Sequence, residues 1–269
     1  MVLNIYDNVL KNLILMVFIL GFSVFLPNFA SSAHAVEVKA AVASNFTSVI
    51  KQLKPVFEKK TGHTLVSSFA SSGTLFAQIY NGAPFDVFLS ADRQRPEKLM
   101  SEGLAVEGSQ FVYAHGQLCL WSSHTELIDS EGKILTEAKW SNLGIRHIAI
   151  ANPKTAPYGI AAMEALNALG INKSISNRLV IGQNTAQTFQ FVVSDNAQLG
   201  FLALAQILSL PKPERGAYWI IPNLLYSPIQ QTAVLLNKGG KNAAAKAFLE
   251  FLQTPEAIKI IKSSGYSDY

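Results

Sequence analysis

The sequence predicts an α/β fold with largely parallel sheets. Short apolar runs of strand length alternate with stretches of helical spacing from Val38 to the C-terminus. The joints between them are rich in Ser, Thr, Asn, Gly and Pro, the residues that punctuate elements. After its first stretch the chain is long enough for two compact lobes of ordinary size.

That first stretch reads as a leader. Lys11 precedes the apolar run Leu13 to Leu26, and "SSAHA" then places small residues at Ala33 and Ala35. A positive residue, a short apolar core and an A-x-A site are the order of a secretory signal. The run is shorter than the roughly 20 residues of a spanning helix. A signal peptide over residues 1–35 is therefore expected, leaving a chain from Val36 to Tyr269. It removes one Lys and one Asp, so the formal charge stays at +4.

The elements follow in order. "VKAAVA" reads as a strand, and a helix begins near Asn45, with Phe46, Val49, Ile50, Leu53, Val56 and Phe57 at helical spacing. Pro55 should kink or shorten that helix. "TLVSS" is the second strand, Gly73 to Tyr80 the second helix, and "DVFLSA" the third strand, followed by a helix through Leu99. A second set comprises "QLCLWS", "RHIAIA", "RLVIG", "LGFLAL" and "YWII" as strands. Helices are expected between them at 160–169, 185–193 and 203–208. "QTAVLLN" is a last strand, and helices over 242–253 and 255–263 close the chain.

Several function classes find no support. The basic residues are scattered without interleaved aromatics, so nucleic acid is not an expected partner. There is no G-x-x-x-x-G-K-[ST] loop and no G-x-S-x-G elbow. His63, His115, His124 and His147 lie far apart and show no ligand spacing. Ser72 would need a positioned base to act as a nucleophile, and nothing local supplies one. The lone Cys119, set in "QLCLW", reads as a buried filler. No catalytic residue and no cofactor are expected.

What the sequence does contain is a set of small, hydroxyl-rich turns where a strand hands over to a helix. "AVASNFT" puts Ser44 and Asn45 at such a joint, and "SSFASSGT" puts Ser71, Ser72 and Gly73 at the next. "NPKTAPYGI" and "GQNTAQT" do the same around Tyr158 and Thr185. The first N–H groups of a helix lack intrahelical partners, and that end of the dipole is weakly positive. Four such ends converging would make an anion site without a charged side chain. Plain helix capping explains any one of these turns. It strains at "SSFASSGT", because one cap needs one serine, not four.

"AVASNFT", "SSFASSGTLFAQIYNGAPFDVFLSAD", "NPKTAPYGIAAMEAL" and "QLGFLAL" together resemble the periplasmic molybdate-binding proteins of ABC importers, from about Val38 to the terminal "SSGY". The resemblance implies two Rossmann-like lobes joined by a two-strand hinge, the type II periplasmic binding protein fold. It places lobe one at 36–114 and 229–269, and lobe two at 115–228. It further implies a soluble periplasmic monomer that closes on molybdate or tungstate and delivers it to a membrane permease. The only metal is the molybdenum of the oxyanion itself. Carried over position by position, the ligands fall on Ser44, with Asn45 beside it contributing its amide, and on Ser72. The backbone amides of Tyr158 and Thr185 complete the set. Some members add a tyrosine hydroxyl where Ala203 stands here. Three alternatives stay open: sulfate or another tetrahedral oxyanion, an effector-binding regulatory domain, and an exported enzyme on phosphorylated or acyl substrates.

Overall fold

The computed structural model describes residues 35–136 and 143–267. The leader expected over residues 1–35 lies outside them, Ala35 excepted.

The chain builds two five-stranded sheets in turn. β1 (Glu37–Ala43) leads through a 3-10 turn (Ser44–Phe46) into α1 (Thr47–Thr61), followed by β2 (Thr64–Ala70), α2 (Ser72–Tyr80), β3 (Val87–Ser90), α3 (Gln94–Ser101) and β4 (Phe111–Gly116). Lobe two follows with β5 (Leu118–Ser122), α4 (Lys133–Thr136), β6 (Ile148–Ala151), α5 (Pro157–Ala168), α6 (Asn172–Ile175), β7 (Leu179–Gly182), α7 (Thr185–Val193), β8 (Leu199–Ala203), α8 (Leu204–Leu208) and β9 (Ala217–Ile220). The chain then returns as β10 (Ile229–Leu235), α9 (Ala243–Leu252) and α10 (Pro255–Ser263). The strand orders are β2-β1-β3-β10-β4 and β7-β6-β8-β5-β9.

The sheets are mixed rather than largely parallel. β1 pairs in parallel with β2 and β3, and β6 with β7 and β8, as the strand–helix alternation requires. β10 is antiparallel to β3 and β4, and β5 to β8 and β9. These two strands carry the chain from one sheet into the other, so each enters from the opposite end. Ile229 pairs with Gly116, which brings the two connecting segments side by side.

α1 runs its full length despite Pro55. The proline is exposed, so it removes one backbone bond without displacing packed neighbours. Val49, Ile50, Leu53 and Phe57 bury the opposite face against β1 and α9. Each large apolar side chain so buried contributes about 1.5–3 kcal/mol, which offsets the lost bond. Gly62, at φ 71°, then ends the helix, its N–H donating to the Glu58 carbonyl. Cys119 is fully buried between β8 and β9, and burial pushes its thiol up, so it stays neutral. Among the described residues no helix is long and apolar enough to cross a membrane.

Candidate functional site

Strand register places the four turns. Ala43 is opposite Ala70, so Ser44 and Ser71 leave neighbouring parallel strands at the same edge of sheet one. Ala151 is opposite Gly182, and Asn152 donates its N–H to the Gly182 carbonyl, so the next two turns leave sheet two together. These are the carboxyl ends of the strands, where open α/β sheets collect their ligands.

At each helix start the structure sorts capped donors from those left for something else. The Ser71 hydroxyl caps α2, accepting from the Thr74 N–H at 3.2 Å. Ser72 does a different job: its Oγ accepts from the Ala91 N–H at 2.9 Å. A hydroxyl has one proton, and here an acceptor pair is used while the proton remains to be donated. In α7 the Asn184 side chain accepts from Ala186 at 2.9 Å and from Gln187 at 3.1 Å, which leaves the Thr185 N–H ahead of the capped pair. α5 begins at Pro157, which has no N–H, and its N-cap Ala156 makes no side-chain cap. The Tyr158 N–H is therefore the first donor of that helix. Ser44 opens the 3-10 turn, likewise without a side-chain cap.

All five residues expected to hold a ligand come together. Ser44, Asn45, Ser72, Tyr158 and Thr185 line one small cavity with Ser71, Ala43, Ala91, Ala156 and Pro157. Each of the five is at most 5% exposed. The space is about 10 Å³, far below the roughly 300–1,000 Å³ of sites for drug-sized molecules. Only a compact group fits. Ser44 Oγ and Thr185 Oγ1 meet at 2.8 Å across the two lobes.

No charged side chain lines the cavity. Burial pushes the phenols of Tyr158 and Tyr266 far up, so both stay neutral. The nearby Asp92 carboxylate is paired with Arg95. What remains is the positive end of four helix or turn starts and two or three hydroxyls. Such a field favours an anion that accepts hydrogen bonds on several sides.

Asn45 differs from the simplest expectation. Its side-chain Nδ2 points away, to Gln231 Oε1 at 2.8 Å and the Tyr266 hydroxyl at 2.9 Å. Tyr266 in turn donates to the Asn45 carbonyl at 3.1 Å. The side chain thus anchors the turn. Gln231 reaches Asn45 from beside a β-bulge, where the register with β4 shifts between Gln231 and Thr232 and Tyr113 is the extra residue. Gln206 supports the other lobe, with Nε2 donating to the Thr185 carbonyl at 3.0 Å. Sequence reasoning missed these three supports. "QQTAVLL" and the terminal "SSGY" gave no sign of polar anchoring at a distance of about two hundred residues along the chain from Asn45.

Ala203 lies outside the cavity lining; it is buried at the end of β8, its N–H held by Gln206. Tyr158 turns its phenol toward the hinge, where a Cβ on Gly116 would overlap its hydroxyl oxygen. Among the described residues no group of three or more His, Cys, Asp or Glu could hold a metal ion.

A family model described as bacterial extracellular solute-binding protein matches residues 38–267. The chain is 46% identical over 237 residues to a molybdate-binding protein of Rhodobacter capsulatus, covering 88% of this chain and 90% of that one. A molybdate-binding protein of Azotobacter vinelandii is also 46% identical, over 88% of this chain and 92% of its own. The solved periplasmic molybdate-binding protein of Azotobacter vinelandii superimposes with a TM-score of 0.81 at 41% identity, over 86% of this chain and 99% of that one.

Proposed function

Since this chain belongs to the bacterial extracellular solute-binding proteins, we propose that it captures molybdate, and tungstate with it, for a membrane permease of an ABC importer. The observation that carries this is the convergence of uncapped helix starts from both lobes on a small, uncharged cavity. A tetrahedral dianion offers acceptors in four directions and needs donors from four directions.

Ser44 and Ser72 would donate through their hydroxyls, and Asn45, Tyr158 and Thr185 through backbone amides. Lobe one is assigned to 36–114 and 229–269, and lobe two to 115–228, with the Gly116–Ile229 pair in the hinge. An anion that binds both lobes favours their closed arrangement by the difference in affinity for the two states. The permease would read that closure. The protein is a carrier and not an enzyme, a soluble periplasmic monomer once a leader is cleaved near Ala35. No separate cofactor and no nucleic acid enter this scheme. Titration calorimetry of the purified protein tests the proposal: one molybdate per chain is expected, and no heat of binding would overturn it.

A neutral site also makes an expectation about Lys154, the exposed cation of the β6–α5 loop. Surface charges couple weakly, so Lys154→Ala should lower molybdate affinity by less than about fivefold, mainly through slower association. A larger loss through faster dissociation would mean that the ammonium holds the anion.

A further inference from the structure

Gly73 is the second residue of α2, and its backbone conformation is one that any residue adopts. Glycine there costs backbone entropy relative to alanine. The three atoms nearest to an added Cβ all belong to Thr155 of lobe two. That Cβ would sit 2.9 Å from Thr155 Cα, 2.9 Å from its carbonyl oxygen and 3.1 Å from its Cβ. Two of those three are backbone atoms, which cannot swing aside as a side-chain end can. The Gly73 N–H meanwhile donates to the Thr155 carbonyl at 2.8 Å. Thr155 is fixed in its own loop, its N–H bonded to the Asn152 carbonyl.

We propose that Gly73 and Thr155 form a backbone latch between the lobes, and that Gly73 is a positioning residue for oxyanion capture. The latch adjoins the cavity on both sides: Ser72 precedes Gly73, and Ala156 and Pro157 follow Thr155. It fixes how closely the Ser72 hydroxyl and the Tyr158 amide approach one another. A donor set split between two lobes holds one small anion only at one separation. The latch rests on the proposed oxyanion function for its role, but its existence as an interlobe contact does not.

Gly73→Ala tests it. With the lobes apart the Thr155 clash is relieved and alanine favours the helix, so the ligand-free thermal midpoint should hold or rise. Molybdate affinity should fall about tenfold or more, through faster dissociation. Unchanged affinity would overturn the latch, and so would a drop in the ligand-free midpoint that accounts for the loss. A distance measurement decides the point without molybdate. Spin labels on Lys59→Cys and Lys173→Cys, both exposed and on different lobes, leave the buried Cys119 unlabelled. The closed-distance population of the ligand-free protein should shrink in Gly73→Ala, and an identical distribution would overturn the latch. Wild-type protein that leaves molybdate unbound would remove the function instead, with the distance result still deciding the latch.

Discussion

Ser72→Ala should weaken molybdate binding by roughly 10- to 100-fold, the value of one charge-assisted hydrogen bond in a water-poor site. The Ser72 oxygen already accepts from the Ala91 N–H and is 1% exposed. Its proton therefore has one sensible direction, toward the cavity. The substitution also strands the Ala91 N–H, which should cost about 1–3 kcal/mol of stability. Thermal unfolding without ligand reads the second effect, and calorimetry reads the first. The neighbouring serine provides contrast: Ser71→Ala removes the α2 cap and a bond to the Thr74 hydroxyl, about 1 kcal/mol of stability, with little change in affinity. A folded Ser72→Ala protein that binds molybdate as the wild type does would remove Ser72 from the site.

Gly159→Ala should damage both stability and binding. Gly159 lies in the first turn of α5, where a Cβ would overlap the Ala151 carbonyl oxygen and press on the Asn152 carbonyl carbon at 2.9 Å. Those atoms are the backbone at the end of β6, so the helix start must lift off the strand. Overpacking of this kind costs about 1–3 kcal/mol. The residue before it carries the Tyr158 amide, so the donor moves with the helix. An affinity loss of about tenfold or more is expected, from one donor drawn out of reach of a small anion. Calorimetry and thermal unfolding on the same preparation check both. Lost stability with full affinity would mean that the Tyr158 amide does not face the ligand.

Much of this arrangement was legible in the sequence because its signals are local. Strand runs, helix starts and the four hydroxyl-rich joints are each written within a few adjacent residues, and α7 and α10 begin and end where their periodicity says. α5 was expected from Ile160 and begins three residues earlier, at Pro157, because proline favours the first helical position. β4 was harder: "FVYAHG" is a continuous run without alternation, and its partner β10 lies more than a hundred residues away. The mixed pairing has the same origin, because direction depends on where a strand enters the sheet. The supports behind the site belong to this class as well. Gln231 and Tyr266 reach Asn45 only after the chain has crossed to lobe two and returned. Of "SSFASSGT", the sequence marked the whole stretch as unusual. Only the structure separates the Ser71 cap, the Ser72 oxygen that accepts from the Ala91 N–H and the Gly73 N–H that donates to Thr155.

Molybdate and sulfate are both tetrahedral dianions near neutral pH, so charge cannot separate them here. Size can, because the metal–oxygen bonds are longer. Donors fixed at helix starts on two rigid lobes cannot all follow a shrinking ligand. Each buried donor left unpaired costs about 1–3 kcal/mol, so losing two gives on the order of 30-fold or more. Competition titration of the molybdate-loaded protein measures this directly. Tungstate, nearly the size of molybdate, should displace it at comparable concentration, while sulfate and phosphate at comparable concentration should displace almost none. Sulfate displacing molybdate at comparable concentration would contradict a site built to the larger anion.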